Sequence, residues 1–211
     1  MSTTLKKAFS GFKGTGHSRE KPKAPSSNEN GITPMMSRLP ESVATSNNVA
    51  LLGGSFDPIS LGHEHMAQLS YNHTGYPVWL MPCYQHLFGK ELASPKYRLD
   101  MVNLIAEQYE WATAIDFEIR RKSSGSMYDT LQALRTQNSD IVFHLIIGTD
   151  NANRIFEWDQ AESLIAETPF IVILRPDYQP KLDWFMQKPH TYIKQELITS
   201  STAIRQAIEG G

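Results

Sequence analysis

Cysteine is almost missing from this chain: Cys83 is the only one in 211 residues. An intrachain disulfide is therefore excluded and a thiolate metal cluster has no support, which fits a reducing compartment. Long apolar runs are missing too. The longest, such as Phe170 to Leu174, fall far short of a bilayer-spanning helix. Nor is there an excess of one charge, with 20 Lys and Arg against 22 Asp and Glu and a formal net charge of −2. That balance argues against a generally basic nucleic-acid binder. No internal repeat is visible. What is present, 40% hydrophobic residues, suffices for one sizeable core. The reading is a cytoplasmic protein with no membrane segment.

Residues 1–47 differ from the rest. Ser, Thr, Gly, Pro, Lys and Asn dominate, apolar periodicity is lacking, and basic residues outnumber acidic ones. Such a segment buries too little apolar surface to offset its ordering entropy, so a disordered tail is expected. A targeting signal is the weaker reading, because Arg richness and an apolar face are both lacking.

From Asn48 onward, strand-like and helix-like segments alternate. The apolar pattern predicts strands at Asn48–Leu52, Val78–Met81, Thr113–Ile119, Ile141–Ile147 and Phe170–Leu174. Between them it predicts helices over Gly62–Asn72, from Ser94-Pro95 to about Gln108, and from Ser126 to about Gln137, then a broken helical region over Asn151–Ala166. Strands joined through helices of these lengths imply an α/β fold, a Rossmann-like parallel sheet with helices on both faces. Ligands of such sheets sit beyond the carboxyl ends of the strands.

The most informative stretch follows the first strand: Gly53-Gly54-Ser55-Phe56-Asp57-Pro58, then Ser60-Leu61-Gly62-His63. A glycine turn between strand and helix lets backbone N–H groups approach a phosphate. Ser60 and His63, three apart at a helix start, can address one anion. The plainer reading is an N-cap serine beside a surface histidine. A second stretch, Ser200-Ser201-Thr202-Ala203-Ile204-Arg205, would place hydroxyls, N–H groups and a guanidinium at another helix start.

Together these two stretches resemble the HxGH/TxGH nucleotidyltransferases, and within them the nicotinamide/nicotinate mononucleotide adenylyltransferases. The resemblance covers about residues 48 to 209. It implies a nucleotidyltransferase domain over 48–211, joining ATP to a pyridine mononucleotide and releasing pyrophosphate in NAD biosynthesis. Catalytic roles fall to Ser60, His63, Lys90 and Arg205. ATP contacts fall to Gly53, Gly54, Ser55, Phe56, Gly148, Asp150, Ser200, Ser201, Thr202 and Arg205. Acceptor contacts fall to Lys90, Asp129, Thr130, Trp158 and Arg175, with Trp158 stacking on the pyridine ring. Arg98 resembles an arginine usual in the family, and could equally form a surface ion pair. Mg²⁺ would arrive with ATP, with no metal site of protein residues alone. The partners implied are ATP and a phosphorylated small molecule, and a homo-oligomer is compatible.

Two departures bear on the acceptor. Ser60 stands where these adenylyltransferases usually carry His and phosphopantetheine relatives carry Thr. Gly125-Ser126-Met127 replaces the usual Ser-Tyr-Thr turn, in a region where Glu118, Asp129, Thr130 and Leu131 look familiar. Another phosphorylated acceptor, such as phosphopantetheine, and a weakly catalytic nucleotide-binding regulator are the alternative readings. Because residues 1–46 lie outside every motif, deleting them should leave turnover and melting temperature almost unchanged. Loss of ATP affinity in the truncated protein would show instead that the tail docks on the domain.

Overall fold

The computed structural model describes residues 47–86, 89–174 and 191–194. The expected tail through residue 46, and with it Arg175, Ser200, Ser201, Thr202 and Arg205, lies outside the described residues.

Among the described residues six strands form one sheet: β1 (Asn48–Gly54), β2 (Val78–Pro82), β3 (Ala112–Ala114), β4 (Val142–Gly148), β5 (Phe170–Leu174) and β6 (Thr191–Lys194). They are ordered β3-β2-β1-β4-β5-β6, and every ladder is parallel. The connecting helices are α1 (Leu61–Thr74), α2 (Pro95–Ala106), α3 (Phe117–Arg121), α4 (Met127–Gln137), α5 (Thr149–Ala152) and α6 (Ala161–Glu167). None of the described helices is long and apolar enough to cross a membrane.

Alternation along the strands divides the core in two. On one face Ala50, Leu52, Val78, Leu80, Ile146, Ile171, Ile173 and Ile193 pack with Ala67 of α1 and Val102 and Ala106 of α2. The intervening residues, Leu51, Trp79, Phe143, Leu145 and Val172, are equally buried, and Trp79 meets Phe143 at 5.6 Å between ring centroids. Both faces are therefore apolar, which is why β1, β4 and β5 read as continuous hydrophobic runs. Helix α1 can lie close to the sheet because its buried residues, Gly62, Ala67 and Ser70, are small. It stops at Gly75, which takes φ 70 and returns its N–H to Tyr71 O.

One expected element needs correction. Thr113–Ile119 alternates like a strand, yet only Ala112–Ala114 pair with β2. The ladder closes where Ile115 N–H donates to Leu80 O, and the chain turns into α3. There Phe117 and Glu118 are buried side by side, which an edge strand with one covered face cannot do. The broken region after β4 resolves into α5, a single 3₁₀ turn at Ile155–Glu157, and α6. Strand β6 was not anticipated, since Thr191–Lys194 offers too little periodicity.

The ladder between β1 and β4 runs from Asn48–Val142 to Leu51–Leu145, whereas that between β1 and β2 continues to Gly54–Pro82. The strand order reverses at β1, so a crevice opens between the carboxyl ends of β1 and β4. At the opposite end, His144 Nε2 lies 2.9 Å from Asn48 Oδ1, and its ring is 4.6 Å from that of Tyr76.

Burial pushes the His144 imidazole below its ordinary value. The folded state thus disfavours the charged form, and an unfolded chain takes up that proton near pH 6.5. The resulting stability is complete above about pH 6.5 and is lost as pH falls through the lower, folded value. Between about pH 7.5 and about pH 5.5, wild type should lose more stability than His144→Gln, by up to ~1.4 kcal/mol per pH unit. Urea unfolding at both pH values measures the difference. Equal losses in the two proteins would clear His144 of any part in it.

Candidate active site

The loop from β1 into α1 is shaped by two close approaches. A side chain at Gly54 would meet the Phe56 ring at 3.1 Å, and one at Gly53 would meet Met127 Cε at 2.7 Å. Phe56 adopts a left-handed φ of 47, and the Asp57–Pro58 bond is cis. The Phe56 ring is buried and stands edge-on to His63, 5.1 Å between centroids. Its side chain thus serves packing, leaving only its main chain for a nucleotide.

Ser60 and His63 are brought together at the start of α1. Ser60 N–H donates to His63 Nδ1 at 3.1 Å, and Ser60 Oγ lies 2.8 Å from the same nitrogen. The imidazole thereby takes the part that Glu or Gln plays in a capping box. A main-chain N–H can only donate, so Nδ1 holds a lone pair and the neutral ring carries its proton on Nε2. Ser60 is nearly inaccessible while His63 is half-buried. The pair is therefore an anchored imidazole at a helix N-terminus, where an anion is favoured.

The other expected residues divide by position. Gly148 ends β4 and N-caps α5, with Asp150 in its first turn. Lys90 is exposed, in the segment between β2 and α2. Trp158 is half-buried and closes the 3₁₀ turn, donating its N–H to Ile155 O. Its neighbour Asp159 accepts from Ser126 Oγ at 2.8 Å, and Gln160 donates to Asp129 at 3.3 Å. With Met127 lying against Gly53, these bonds set the Trp158 turn, the start of α4 and the glycine turn along one rim. Asp129 is exposed and Thr130 buried. Both line a polar cavity of about 200 Å³ with Arg121, Ser123 and Ser124.

Two buried charges were not legible as such. Arg98, read as an arginine usual in the family or as half of a surface ion pair, is wholly buried and makes no surface ion pair. Its guanidinium donates to main-chain carbonyls, Nε to Ala93 at 2.9 Å, one terminal nitrogen to Ser55 at 2.7 Å, and the other to Cys83 at 2.7 Å and Tyr84 at 3.0 Å. Glu118 accepts from Thr130 Oγ1 at 2.8 Å and from Tyr84 N–H at 3.4 Å. Burial raises its carboxyl above the ordinary value, opposed by these bonds and by the charge of Arg98. The hydroxyl of Thr130 is thus committed inward. Glu118 falls with Asp116 on the polar phase of the Ile115, Phe117, Ile119 alternation, so its spacing gave no sign of burial.

Comparisons with known proteins point to one family. The Cytidylyltransferase-like family profile matches residues 51–207. A probable nicotinate-nucleotide adenylyltransferase of Enterococcus faecalis is 31% identical over 185 residues, covering 86% of this chain and 83% of the relative. One of Listeria monocytogenes is 31% identical over 171 residues, covering 77% and 87% respectively. Among solved structures, the Plasmodium falciparum nicotinic acid mononucleotide adenylyltransferase complexed with NaAD superimposes with a TM-score of 0.66. It is 25% identical, with 75% of this chain and 82% of that one covered.

Removing the anchored donor tests the site directly. His63→Ala should lower kcat by the equivalent of about 2.7–4 kcal/mol, the range for deleting one preorganised donor. ATP binding should weaken far less, because the N–H is assigned to charge that develops during reaction. Steady-state kinetics beside equilibrium ATP titration separate the two effects. Kinetics within about threefold of wild type would take His63 out of the chemistry.

Proposed function

Because the chain belongs to the cytidylyltransferase-like family, we propose that it transfers the adenylyl group of ATP to nicotinate mononucleotide, forming the dinucleotide of NAD biosynthesis and pyrophosphate. The names of the similar bacterial proteins and the NaAD-bound Plasmodium falciparum enzyme support this acceptor. The observation that carries the chemistry is the Ser60–His63 pair, with Nδ1 held by a main-chain N–H at the β1–α1 turn.

In this reading an oxygen of the acceptor's phosphate attacks the α-phosphorus of ATP. The bond from that phosphorus to the bridging oxygen of the β-phosphate breaks, and pyrophosphate leaves. The attacking oxygen is already anionic, so no general base is needed. Positioning of the two phosphates and stabilisation of the spreading charge do the work. His63 Nε2–H supplies one donor, and the N–H groups of the glycine turn supply others. Lys90 is assigned to the phosphates as a mobile point charge. Among the described residues no group of three His, Cys, Asp or Glu could hold a metal. Mg²⁺ would enter with the nucleotide and would help neutralise charge on its phosphates.

Trp158 is assigned to the acceptor's ring. An indole is a good platform for a pyridine, particularly a cationic one, and the Asp159–Ser126 bond holds this turn against the start of α4.

Acceptor choice is settled by measuring pyrophosphate release with ATP and a panel of nicotinate mononucleotide, nicotinamide mononucleotide and phosphopantetheine. Nicotinate mononucleotide should be used best. In Trp158→Ala its KM should rise by the equivalent of about 1–3 kcal/mol, by analogy with base–aromatic stacking, while KM for ATP stays nearly constant. Release with phosphopantetheine alone, unchanged in Trp158→Ala, would leave the adenylyl chemistry standing and discard the pyridine.

A further inference from the structure

Arg98 spends its charge in an unusual way. It is fully buried, but none of its hydrogen bonds goes to a carboxylate. All four short ones go to carbonyls in two loops: Ser55 just after β1, and Cys83, Tyr84 and Ala93 at the two ends of the segment from β2 to α2. Burying a guanidinium costs several kcal/mol unless its donors are satisfied, and anchoring α2 does not require it. Val102 and Ala106 already seat that helix in the core.

The destinations of those bonds explain the residue better. Ser55 belongs to the turn assigned to ATP phosphates, and Cys83 and Tyr84 begin the segment that leads to Lys90. Tyr84 is gripped from both sides, its carbonyl by Arg98 and its N–H by Glu118, which in turn holds Thr130 of α4. Only a planar fork with donors on three nitrogens can span such a set; an ammonium reaches one or two of them.

Resting on the adenylyl-transfer reading above, we propose that Arg98 is a positioning residue, fixing the ATP turn after β1 against the acceptor-phosphate loop after β2. In a displacement between two bound phosphates, their relative placement supplies much of the rate. A shift of about 1 Å costs roughly a hundredfold.

The single cysteine provides a built-in reporter. Cys83 is half-buried and its Sγ lies 3.9 Å from the Arg98 guanidinium. Alkylation of Cys83 therefore reads the junction without any acceptor. Three full-length proteins decide the matter: wild type, Arg98→Lys, and Val102→Ala as a control that loosens the same helix in its core.

Arg98→Lys should lower kcat roughly tenfold to a hundredfold, with KM for each substrate within about threefold, well below its melting temperature. Cys83 should alkylate several times faster in this variant. ATP should slow the alkylation in wild type and in Val102→Ala but not in Arg98→Lys. Val102→Ala should melt lower yet keep kcat close to wild type. Equal kcat losses in the two variants at matched loss of stability would overturn the proposal, making Arg98 a purely structural residue. Alkylation in Arg98→Lys that matches wild type, with and without ATP, would overturn it as well. If wild type turns over none of the mononucleotides, the acceptor assignment fails while the alkylation experiment still decides Arg98.

Discussion

Seating β1 between β2 and β4 is the constraint on which the functional end of the sheet depends. Strand order reverses there, so the loops leaving β1 and β4 diverge and leave a crevice between them. The β4 ladder leaves β1 at Leu51, while the β2 ladder follows it to Gly54. The final residues of β1 are thus held from one side as they enter the glycine turn. Among the described residues assigned to nucleotide chemistry, the glycine turn and Gly148 end strands here, and Ser60, His63 and Asp150 sit at helix starts.

Within that frame the site is built from polar contacts whose geometry admits few substitutes. The Ser60 main chain fixes the tautomer of His63, and the edge-on Phe56 ring limits how the imidazole can turn. The same logic operates deeper, where Arg98 and Glu118 are buried near each other but bond mainly to the backbone and to Thr130. A low-dielectric interior strengthens those bonds and makes each one costly to lose. The reward for such a network is definition of loop geometry rather than stability, because apolar residues could have filled the same volume. Its place beneath two loops and the first turns of α4 is consistent with that trade.

The acceptor side differs in character. Met127 brings a flexible thioether against Gly53 where related enzymes carry a polar turn, and Ser126 turns its hydroxyl to Asp159 instead. Hydrogen bonding at this turn is therefore internal, joining α4 to the Trp158 turn. In the proposed reading, recognition of the acceptor's ring would rest more on the Trp158 aromatic surface than on the hydroxyls of that turn.

Contacts between neighbours in the chain were legible from the residues alone. A buried strand, a glycine turn and a serine three residues before a histidine can be recognised because backbone geometry sets their spacing within a turn or two. The same holds for the helix start at Ser94-Pro95 and for most strand positions. Thr113–Ile119 misled because its period-two pattern continued beyond the point where the edge ladder ends, and the deciding fact, Leu80 accepting from Ile115, lies across the sheet. Arg98 meets Ser55 across 43 positions, Ser126 meets Asp159 across 33, and Glu118 meets Thr130 across 12. Those partners depend on strand order and on how deeply each helix is seated. A charge in a sequence carries no mark of being buried, so the chemistry of the motif belonged to the sequence, while the clamp that holds its loops together was decided only by the tertiary fold.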